Sequence, residues 1–354
     1  MENCGDLIVY VGARTTRARN ARGNGLNVYR LHADMRWEHL QLIEMENPSF
    51  LTFDRTGEFL YTVHGDSDRV TSLSIDGSTG MLNELGTQST RGHNPVDLSF
   101  DPTNRYLVVA NHVTSSIVLL PRLEDGSLGE VCDLAAVTGE IGPHRIEQPL
   151  PKPHQVEFDP SGRWIAVPDK GTDKIIVYGI DMQNGTLQEA SACVARETSG
   201  PRHIAFHPDG RLAYVVNELD STVTAYRFDP EVGRLEPFQI LSSLPDTFTS
   251  NSRAAEIAVS KGGRFVYASN RGSDTIAVFK LDAAGRLDLV GHRATAGRTP
   301  RFFTILPQGI LLAANEDSDT VTAFDVNEAT GDLSIRDEVL SVGSPVCIVF
   351  KKLA

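Results

Sequence analysis

Residues 201–235 read PRHIAFHPDGRLAYVVNELDSTVTAYRFDPEVGRL, and the same order of features recurs along the chain. The order is a proline, a short apolar strand, a turn with proline and glycine, a second strand that ends in asparagine, a polar turn, a third strand and then Gly-x-Leu. Residues 222–228 alternate in character at every position, which is the period of a β-strand. Glycine, aspartate, asparagine and proline supply the turns. The stretch therefore predicts a repeating all-β unit.

Five further copies begin near Pro48, Pro95, Pro153, Ala254 and Pro300, at separations of 46 to 58 residues. A period of this length is typical of the four-stranded blades of a β-propeller. Because a repeat fold grows by adding units to one body, 354 residues need not form several domains. We predict one domain over residues 1–354.

A seventh copy is split between the two ends of the chain. Residues 344–350, SPVCIVF, match a first strand, and residues 6–12, DLIVYVG, match a second strand. Joined, they complete a blade and leave no open sheet edge at the seam. An open solenoid is the alternative, but a solenoid does not need ends that complement each other. The sequence predicts an all-β, seven-bladed propeller with four-stranded blades, closed by the C-terminal strand.

Composition limits the classes of partner. The chain is 40% hydrophobic and 22% charged, which is typical of a globular protein with a large core. A net charge of −13 disfavours nucleic acid and anionic membrane as partners. The cysteines, Cys4, Cys132, Cys193 and Cys347, form no CxxC pair and are predicted to be free thiols in a reducing compartment. With no signal peptide or membrane helix in view, we predict a cytoplasmic monomer or small homo-oligomer.

The first two strands of each blade form a hairpin, so the start of the first strand and the end of the second reach the same face. Aligning the copies places one residue per blade in each of two rings on that face. The first ring is Ser49, Val96, His154, Arg202, Ala255, Arg301 and Val346. The second ring is Ala13, Gly65, His112, Lys170, Glu218, Arg271 and Glu316. Charged members that break the pattern of the repeat are candidates for function, because the fold does not require them.

The charged candidates lie on consecutive blades: His154, Lys170, Arg202, Glu218, Arg253, Arg271, Arg301 and Glu316. Arginine presents a planar fork to carboxylate or phosphate, so the set favours an anionic substrate. Glu218 or His154 is the candidate general base, and Arg202 or Arg271 the candidate group that stabilises an oxyanion. Ion pairs that only join neighbouring blades are the structural alternative for any single residue.

The remaining signals are weaker. His203 and Asn217 are added as substrate-binding candidates, although the repeated asparagine is better explained as a turn device. The histidines form no HxH or HExxH pattern, so we predict no metal and no cofactor. Residues 13–25 carry four arginines and form either a lid that attracts anions or, as we favour, a solvated loop. The insertion at 138–153 predicts a loop over the same face.

Several segments resemble a known family: KPHQVEFDPSG (152–162), GPRHIAFHPDGRLAYVVNELDSTV (200–223), RAAEIAVSKGGRFVYASNRGSDTIAVF (253–279) and AANEDSDTV (313–321). The chain resembles the seven-bladed propeller lactonases, which include a bacterial 6-phosphogluconolactonase type and a fungal 3-carboxy-cis,cis-muconate lactonizing type. The resemblance implies active-site roles for His154, Arg202, Glu218 and Arg271. It also implies that Arg253 and Arg301 hold a substrate carboxylate or phosphate, without a metal or organic cofactor.

Three functions follow as hypotheses. The first is metal-independent hydrolysis of an anionic sugar lactone, with 6-phosphogluconolactone as the leading candidate. The second is a cycloisomerase, in which a substrate carboxylate adds to a conjugated double bond. The third is a non-catalytic propeller that binds protein partners, which is disfavoured because the face concentrates charge instead of an apolar patch. For a catalytic site, Glu218→Gln and Arg202→Ala should reduce turnover and leave thermal stability nearly unchanged.

Overall fold

A computed structural model describes residues 6–352 and confirms the predicted fold: 28 strands form seven four-stranded antiparallel sheets. Two single turns of 3-10 helix, Arg17–Arg19 and Glu316–Ser318, are the only helical segments in this part of the chain. The strands in chain order are β1 (Leu7–Ala13), β2 (Gly25–Leu31), β3 (Trp37–Glu44), β4 (Pro48–Phe53), β5 (Phe59–His64), β6 (Arg69–Ile75), β7 (Leu82–Ser89), β8 (Pro95–Phe100), β9 (Tyr106–Asn111), β10 (Ser116–Pro121), β11 (Asp133–Ala136), β12 (Glu157–Phe158), β13 (Ile165–Asp169), β14 (Lys174–Asp181), β15 (Thr186–Val194), β16 (Pro201–Phe206), β17 (Leu212–Asn217), β18 (Thr222–Asp229), β19 (Arg234–Ser242), β20 (Arg253–Val259), β21 (Phe265–Arg271), β22 (Thr275–Leu281), β23 (Leu287–Ala294), β24 (Pro300–Leu306), β25 (Ile310–Asn315), β26 (Thr320–Val326), β27 (Leu333–Ser341) and β28 (Pro345–Lys352).

The blades follow one another around the ring in chain order. Blade 1 consists of β28, β1, β2 and β3, and blades 2 to 7 each use four consecutive strands, beginning with β4 to β7. The first strands of neighbouring blades contact one another from β16 through β20, β24, β28 and β4 to β8, which places these strands innermost, around a central channel. The predicted split blade is confirmed, because β28 pairs with β1 from Leu7 opposite Lys352 to Ala13 opposite Pro345.

Every blade is covered on both faces by its neighbours, which explains the nearly continuous apolar runs of the second strands. In β1, Leu7, Val9 and Val11 pack against blade 7. Ile8 and Tyr10 point to the opposite face and pack against blade 2. Since successive side chains of a strand alternate between faces, a sheet buried on both sides requires apolar residues at successive positions.

A hydrogen bond from tyrosine to glycine joins several pairs of neighbouring blades. The Tyr10 hydroxyl donates to the carbonyl of Gly80 in the next blade at 2.8 Å. Gly80 has φ +77°, and a Cβ at this position would lie 2.6 Å from Cγ1 of Ile8. The glycine of the repeated Gly-x-Leu is therefore required by its backbone conformation and by the close approach of the neighbouring blade. The same bond recurs between Tyr61 and Gly126, Tyr214 and Gly285, and Tyr267 and Gly331.

The described residues include three of the four cysteines. Cys132, Cys193 and Cys347 are free thiols, as predicted, and Cys4 lies outside the described residues. No helix between residues 6 and 352 has the length and apolarity that crossing a membrane requires.

The seam gives a prediction about stability. Removing residues 345–352 exposes the edge of β1 together with the apolar surfaces that β28 covers in blades 2 and 7. We expect this truncated chain to lose its cooperative thermal transition and its near-ultraviolet circular dichroism.

The matched control moves residues 344–352 to a position before Asp6, joined by the turn sequence of residues 207–211, so that blade 1 becomes continuous. This rearranged chain should unfold cooperatively. A truncated chain that melts like the full-length protein would contradict the role of the seam.

Candidate active site

The first ring predicted from the sequence corresponds to a β-bulge at the start of the innermost strands. In blade 5, Pro201 lies opposite Asn217 and His203 opposite Val216, so Arg202 has no partner in the ladder. A bulge of this kind redirects a side chain away from the regular pattern of the sheet. The corresponding extra residues in blades 1, 2, 3 and 7 are Val346, Ser49, Val96 and Arg301.

These bulges surround a cavity at one end of the channel. The cavity is lined by Arg14, Ser49, Phe50, Val96, His154, Arg202, His203, Glu256, Arg301, Phe302 and Val346. Phe50 of blade 2 packs edge to face against His203 of blade 5 and Phe302 of blade 7, with ring centroids 6.1 and 5.8 Å apart. Because blades 2 and 5 lie on different sides of the ring, these three rings meet within the channel and obstruct it. The cavity therefore opens toward one face.

Glu218 lies at the centre of the largest group of charges on this face. Its Oε2 atom is 3.2 Å from Arg202 Nε and 3.2 Å from Arg271 Nη2, and its Oε1 atom is 3.1 Å from Lys170 Nζ. Arg253 Nη1 lies 3.7 Å from the same Oε1 atom. The sequence-predicted residues of blades 4, 5 and 6 are thus brought together around one carboxylate.

The cations decide the ionisation of Glu218. Burial alone would raise the pKa of this carboxyl, but Arg271, Lys170 and Arg202 outweigh that effect and hold the pKa well below its ordinary value. A carboxylate with a low pKa is ionised at neutral pH and is a weak base. Because its carboxylate contacts both Arg202 and Arg271, Glu218 is suited to hold these arginines in position.

The insertion at 138–153 lies over this face, as predicted, and adds a carboxylate that the sequence interpretation missed. Glu147 Oε2 is 3.2 Å from Lys170 Nζ, and Glu147 Oε1 is 2.6 Å from Arg253 Nη2. The buried Gln148 amide donates to the Lys170 carbonyl at 2.9 Å and fixes the loop. His144 of the same loop is exposed.

His154 lies among other buried histidines instead of among carboxylates. Its ring is 5.1 Å from the rings of His112 and His203, both in edge-to-face contact. His154 Nδ1 is buried and has no hydrogen-bond partner among residues 6–352. Burial, followed by the charge of Arg202, lowers the pKa of His154 well below 6.5. The imidazole is therefore neutral at neutral pH and retains a nitrogen that can accept a proton.

His203 follows Arg202 in β16 and lies in the ladder, opposite Val216. Its Nδ1 atom is 3.0 Å from Glu256 Oε1, which also accepts the backbone N–H of Ile257 at 3.0 Å. Burial is the main reason that the pKa of His203 is lowered. His203 lines the cavity beside His154, in a fixed orientation set by Glu256.

A second group of charges occupies blades 7 and 1. Glu316 Oε1 is 3.2 Å from Arg14 Nε, and Glu316 Oε2 is 3.8 Å from Arg301 Nη1. Arg14 belongs to the arginine-rich segment that we favoured as a solvated loop. That interpretation fits Arg17–Arg19, which is exposed, but Arg14 is buried and lines the cavity. The sequence interpretation missed it because the alignment of the repeats ends at Ala13.

Asn217 is separated from these groups. Its amide nitrogen donates to the hydroxyls of Thr222 and Thr224, both at 2.9 Å. It lies within blade 5 and does not line the cavity. The repeated asparagine therefore stabilises the turn between the second and third strands, which agrees with the turn interpretation of the repeat and not with substrate binding.

The cavity mouth carries an excess of positive charge in an acidic protein. Four cations surround the carboxylates of Glu218 and Glu147, namely Lys170, Arg202, Arg253 and Arg271. The single carboxylate of Glu316 is shared by Arg14 and Arg301. Within the described range 6–352, no three His, Cys, Asp or Glu side chains are grouped to hold a metal ion. The arrangement combines a neutral imidazole with cations suited to an anion and to a developing oxyanion.

Comparison with known proteins agrees with this fold. A family model described as "Lactonase, 7-bladed beta-propeller" matches residues 8–350. The chain is 34% identical to the 6-phosphogluconolactonase of Bacillus subtilis, over 97% of this chain and 98% of that protein. It is 30% identical to the 6-phosphogluconolactonase of Formosa agariphila, over 94% and 96% of the two chains. The solved periplasmic gluconolactonase of Pseudomonas aeruginosa superimposes with a TM-score of 0.92 at 29% identity, over 99% of this chain and 100% of that one. The resemblance seen in the repeats is thereby confirmed, and the chain belongs to the seven-bladed β-propeller lactonase family.

Proposed function

We propose that this lactonase hydrolyses the ring ester of an anionic sugar lactone, with 6-phosphogluconolactone as the leading substrate, and that it needs no metal ion. The observation that carries the proposal is the neutral, buried His154 next to a cavity mouth with excess positive charge. The relatives named 6-phosphogluconolactonase support the phosphorylated substrate.

In the proposed reaction, His154 takes a proton from water as the water oxygen bonds to the ester carbonyl carbon. The carbonyl oxygen becomes negative, and Arg202, which lines the same cavity, stabilises it. The bond between the carbonyl carbon and the ring oxygen then breaks. The ring oxygen receives the proton from His154, and the new carboxylic acid ionises.

The choice of base follows from contacts. Both carboxylate oxygens of Glu218 are already engaged, by Lys170, Arg202 and Arg271. His154 has a buried nitrogen without a partner in the described part of the chain. We therefore assign the base to His154 and a positioning role to Glu218.

The cavity supplies His154 as a base and Arg202 as a cation for the oxyanion. Because these groups can carry the reaction, we propose that it is metal-independent. The cycloisomerase and the binding scaffold gain no support from the relatives compared above. The cytoplasmic location and the monomeric or small homo-oligomeric state stay predictions from the sequence.

The direct test is a panel of lactones followed by proton release at constant pH. We expect 6-phosphogluconolactone to open much faster than its spontaneous rate, and His154→Gln to reduce kcat by about 10²- to 10⁴-fold, as expected for loss of a general base. His39→Gln, an exposed histidine on the outer strand β3, is the matched control and should keep wild-type rates.

The panel also includes gluconolactone, a carboxymuconolactone and 3-carboxy-cis,cis-muconate. Cyclisation of the muconate without consumption of water would contradict hydrolysis as the function. Acceleration of no compound in the panel would contradict an enzymatic role.

A second prediction tests whether Glu218 positions the arginines instead of acting as the base. Glu218→Gln leaves Arg202, Arg271 and Lys170 without their shared partner, so the arginines should move and kcat should fall. The structure also revises the expectation of unchanged stability, because removing one member of a buried ion cluster typically costs about 3–5 kcal/mol.

We therefore expect a lower melting temperature together with lower activity in Glu218→Gln. The control Glu84→Gln, on an exposed outer strand, should change neither. Full activity of Glu218→Gln would contradict the positioning role.

The pH dependence of kcat/KM tests the base, because this quantity reports ionisation in the free enzyme. A base is active when it is unprotonated, and the pKa of His154 is lowered well below 6.5. We expect kcat/KM, corrected for spontaneous hydrolysis, to stay constant from pH 8 through 6.5 and to fall only at more acidic pH. A loss of activity centred at pH 6.5 would contradict a neutral, buried His154 as the base.

A further inference from the structure

Two similar arrangements of charge contribute arginines to the lining of the same cavity. In each, two arginines approach one glutamate: Arg202 and Arg271 approach Glu218, and Arg14 and Arg301 approach Glu316. The first lies in blades 5 and 6, beside His154 of blade 4, and the second lies in blades 7 and 1. The proposed reaction uses the first arrangement and leaves the second without a role.

The second arrangement has too little negative charge for its cations. Arg14 Nε is 3.2 Å from Glu316, but the same carboxylate is also 3.8 Å from Arg301. Arg14 Nη1 is 3.7 Å from Asp66, whose two oxygens are already engaged by Arg19. Within residues 6–352, Arg14 Nη1 is buried without a hydrogen-bond partner. One guanidinium is thus left under-compensated at the wall of the cavity.

The backbone holds Arg14 in this place. Its N–H donates to the Ser344 carbonyl at 3.0 Å, and its carbonyl accepts the N–H of Gly23 at 3.2 Å. A Cβ at Gly23 would lie 2.5 Å from that carbonyl, so the loop can close over the seam only with glycine here. Arg22 Nε also bonds Asp319 at 2.6 Å and ties the loop to blade 7.

Burial and the nearby charge of Arg301 lower the pKa of Arg14 to about 9. The side chain is still charged at neutral pH, and an anion placed between the two guanidinium groups would relieve their repulsion. Arginine forks bind phosphate oxygens through paired, charge-assisted hydrogen bonds. Arg14, Arg301 and His154 line the same cavity, so a substrate bound there faces all three side chains.

We propose that Arg14 and Arg301 form the subsite for the phosphate of the substrate, and that Arg14 determines the preference for a phosphorylated over an unphosphorylated lactone. This inference rests on the proposed function and deepens it, because it separates recognition of the anion from the chemistry at His154 and Arg202.

The test compares kcat/KM for 6-phosphogluconolactone with kcat/KM for gluconolactone. In Arg14→Gln, the ratio of the two should fall by about 10- to 100-fold, the usual effect of losing hydrogen bonds to a charged group. Arg17→Gln, an exposed arginine of the same loop, removes the same charge and should keep the wild-type ratio. An unchanged ratio in Arg14→Gln, or an equal fall in Arg17→Gln, would overturn the proposal.

Calorimetric binding of 6-phosphogluconate and gluconate separates this inference from the lactonase proposal, since binding needs no turnover. If the wild-type protein hydrolyses neither lactone but binds 6-phosphogluconate through Arg14, the subsite stands and the proposed function fails. If both lactones are hydrolysed and Arg14→Gln binds 6-phosphogluconate as the wild type does, the subsite fails and the function stands.

Thermal melting shows whether Arg14→Gln is folded. If that variant lacks a cooperative transition, Arg14→Lys, which keeps the charge but loses the fork, takes its place. Weaker binding of 6-phosphogluconate by Arg14→Lys, with gluconate binding unaltered, supports the subsite, and wild-type binding of both compounds overturns it.

Discussion

The pairing of β28 with β1 is the contact on which the remaining structure depends. Each blade is apolar on both faces and becomes stable only when a neighbour covers each face, so a row of seven blades would leave two apolar surfaces at its ends. Closing the ring covers both apolar surfaces, and the pairing of β28 with β1 removes the open edges that these two strands would otherwise present to each other. The same closure draws the innermost strands around one channel. The site is therefore a consequence of closure, because its residues come from blades that lie far apart in the sequence.

Within the closed ring, a single local device produces the site. In blades 1, 2, 3, 5 and 7, a bulge at the start of the innermost strand turns one side chain toward the axis. Where those residues are small or apolar, as Ser49, Val96 and Val346 are, they form uncharged parts of the cavity wall. Where they are Arg202 and Arg301, they bring positive charge to the wall of the cavity. Since buried charges need partners, Glu218 and Glu316 at the ends of the second strands complete the arrangement, and the ionisation of His154 follows from these surroundings.

The sequence predicted the seven blades and the split blade correctly, because a repeat can be aligned with itself, and six of the seven residues of the first ring line the cavity. Arg14 and Glu147 could not be found in this way. They belong to the loops at 13–25 and 138–153, which have no counterpart in the other blades, and their positions depend on tertiary contacts such as the approach of Gly23 to Gly343 and the bond from Gln148 to Lys170. Asn217 was grouped with the site because it lies at the strand end, whereas its side chain turns back to two threonines. The burial of Glu218, which changes the expected cost of replacing it, was likewise not visible in the periodicity.

A crystal structure of the protein with 6-phosphogluconate, the product of the proposed reaction, tests most directly whether this end of the channel is the active site. The account predicts that the product carboxylate lies within hydrogen-bond distance of His154 and Arg202, and that the phosphate lies between Arg14 and Arg301. Binding on the opposite face of the ring, or with carboxylate and phosphate exchanged, would contradict it.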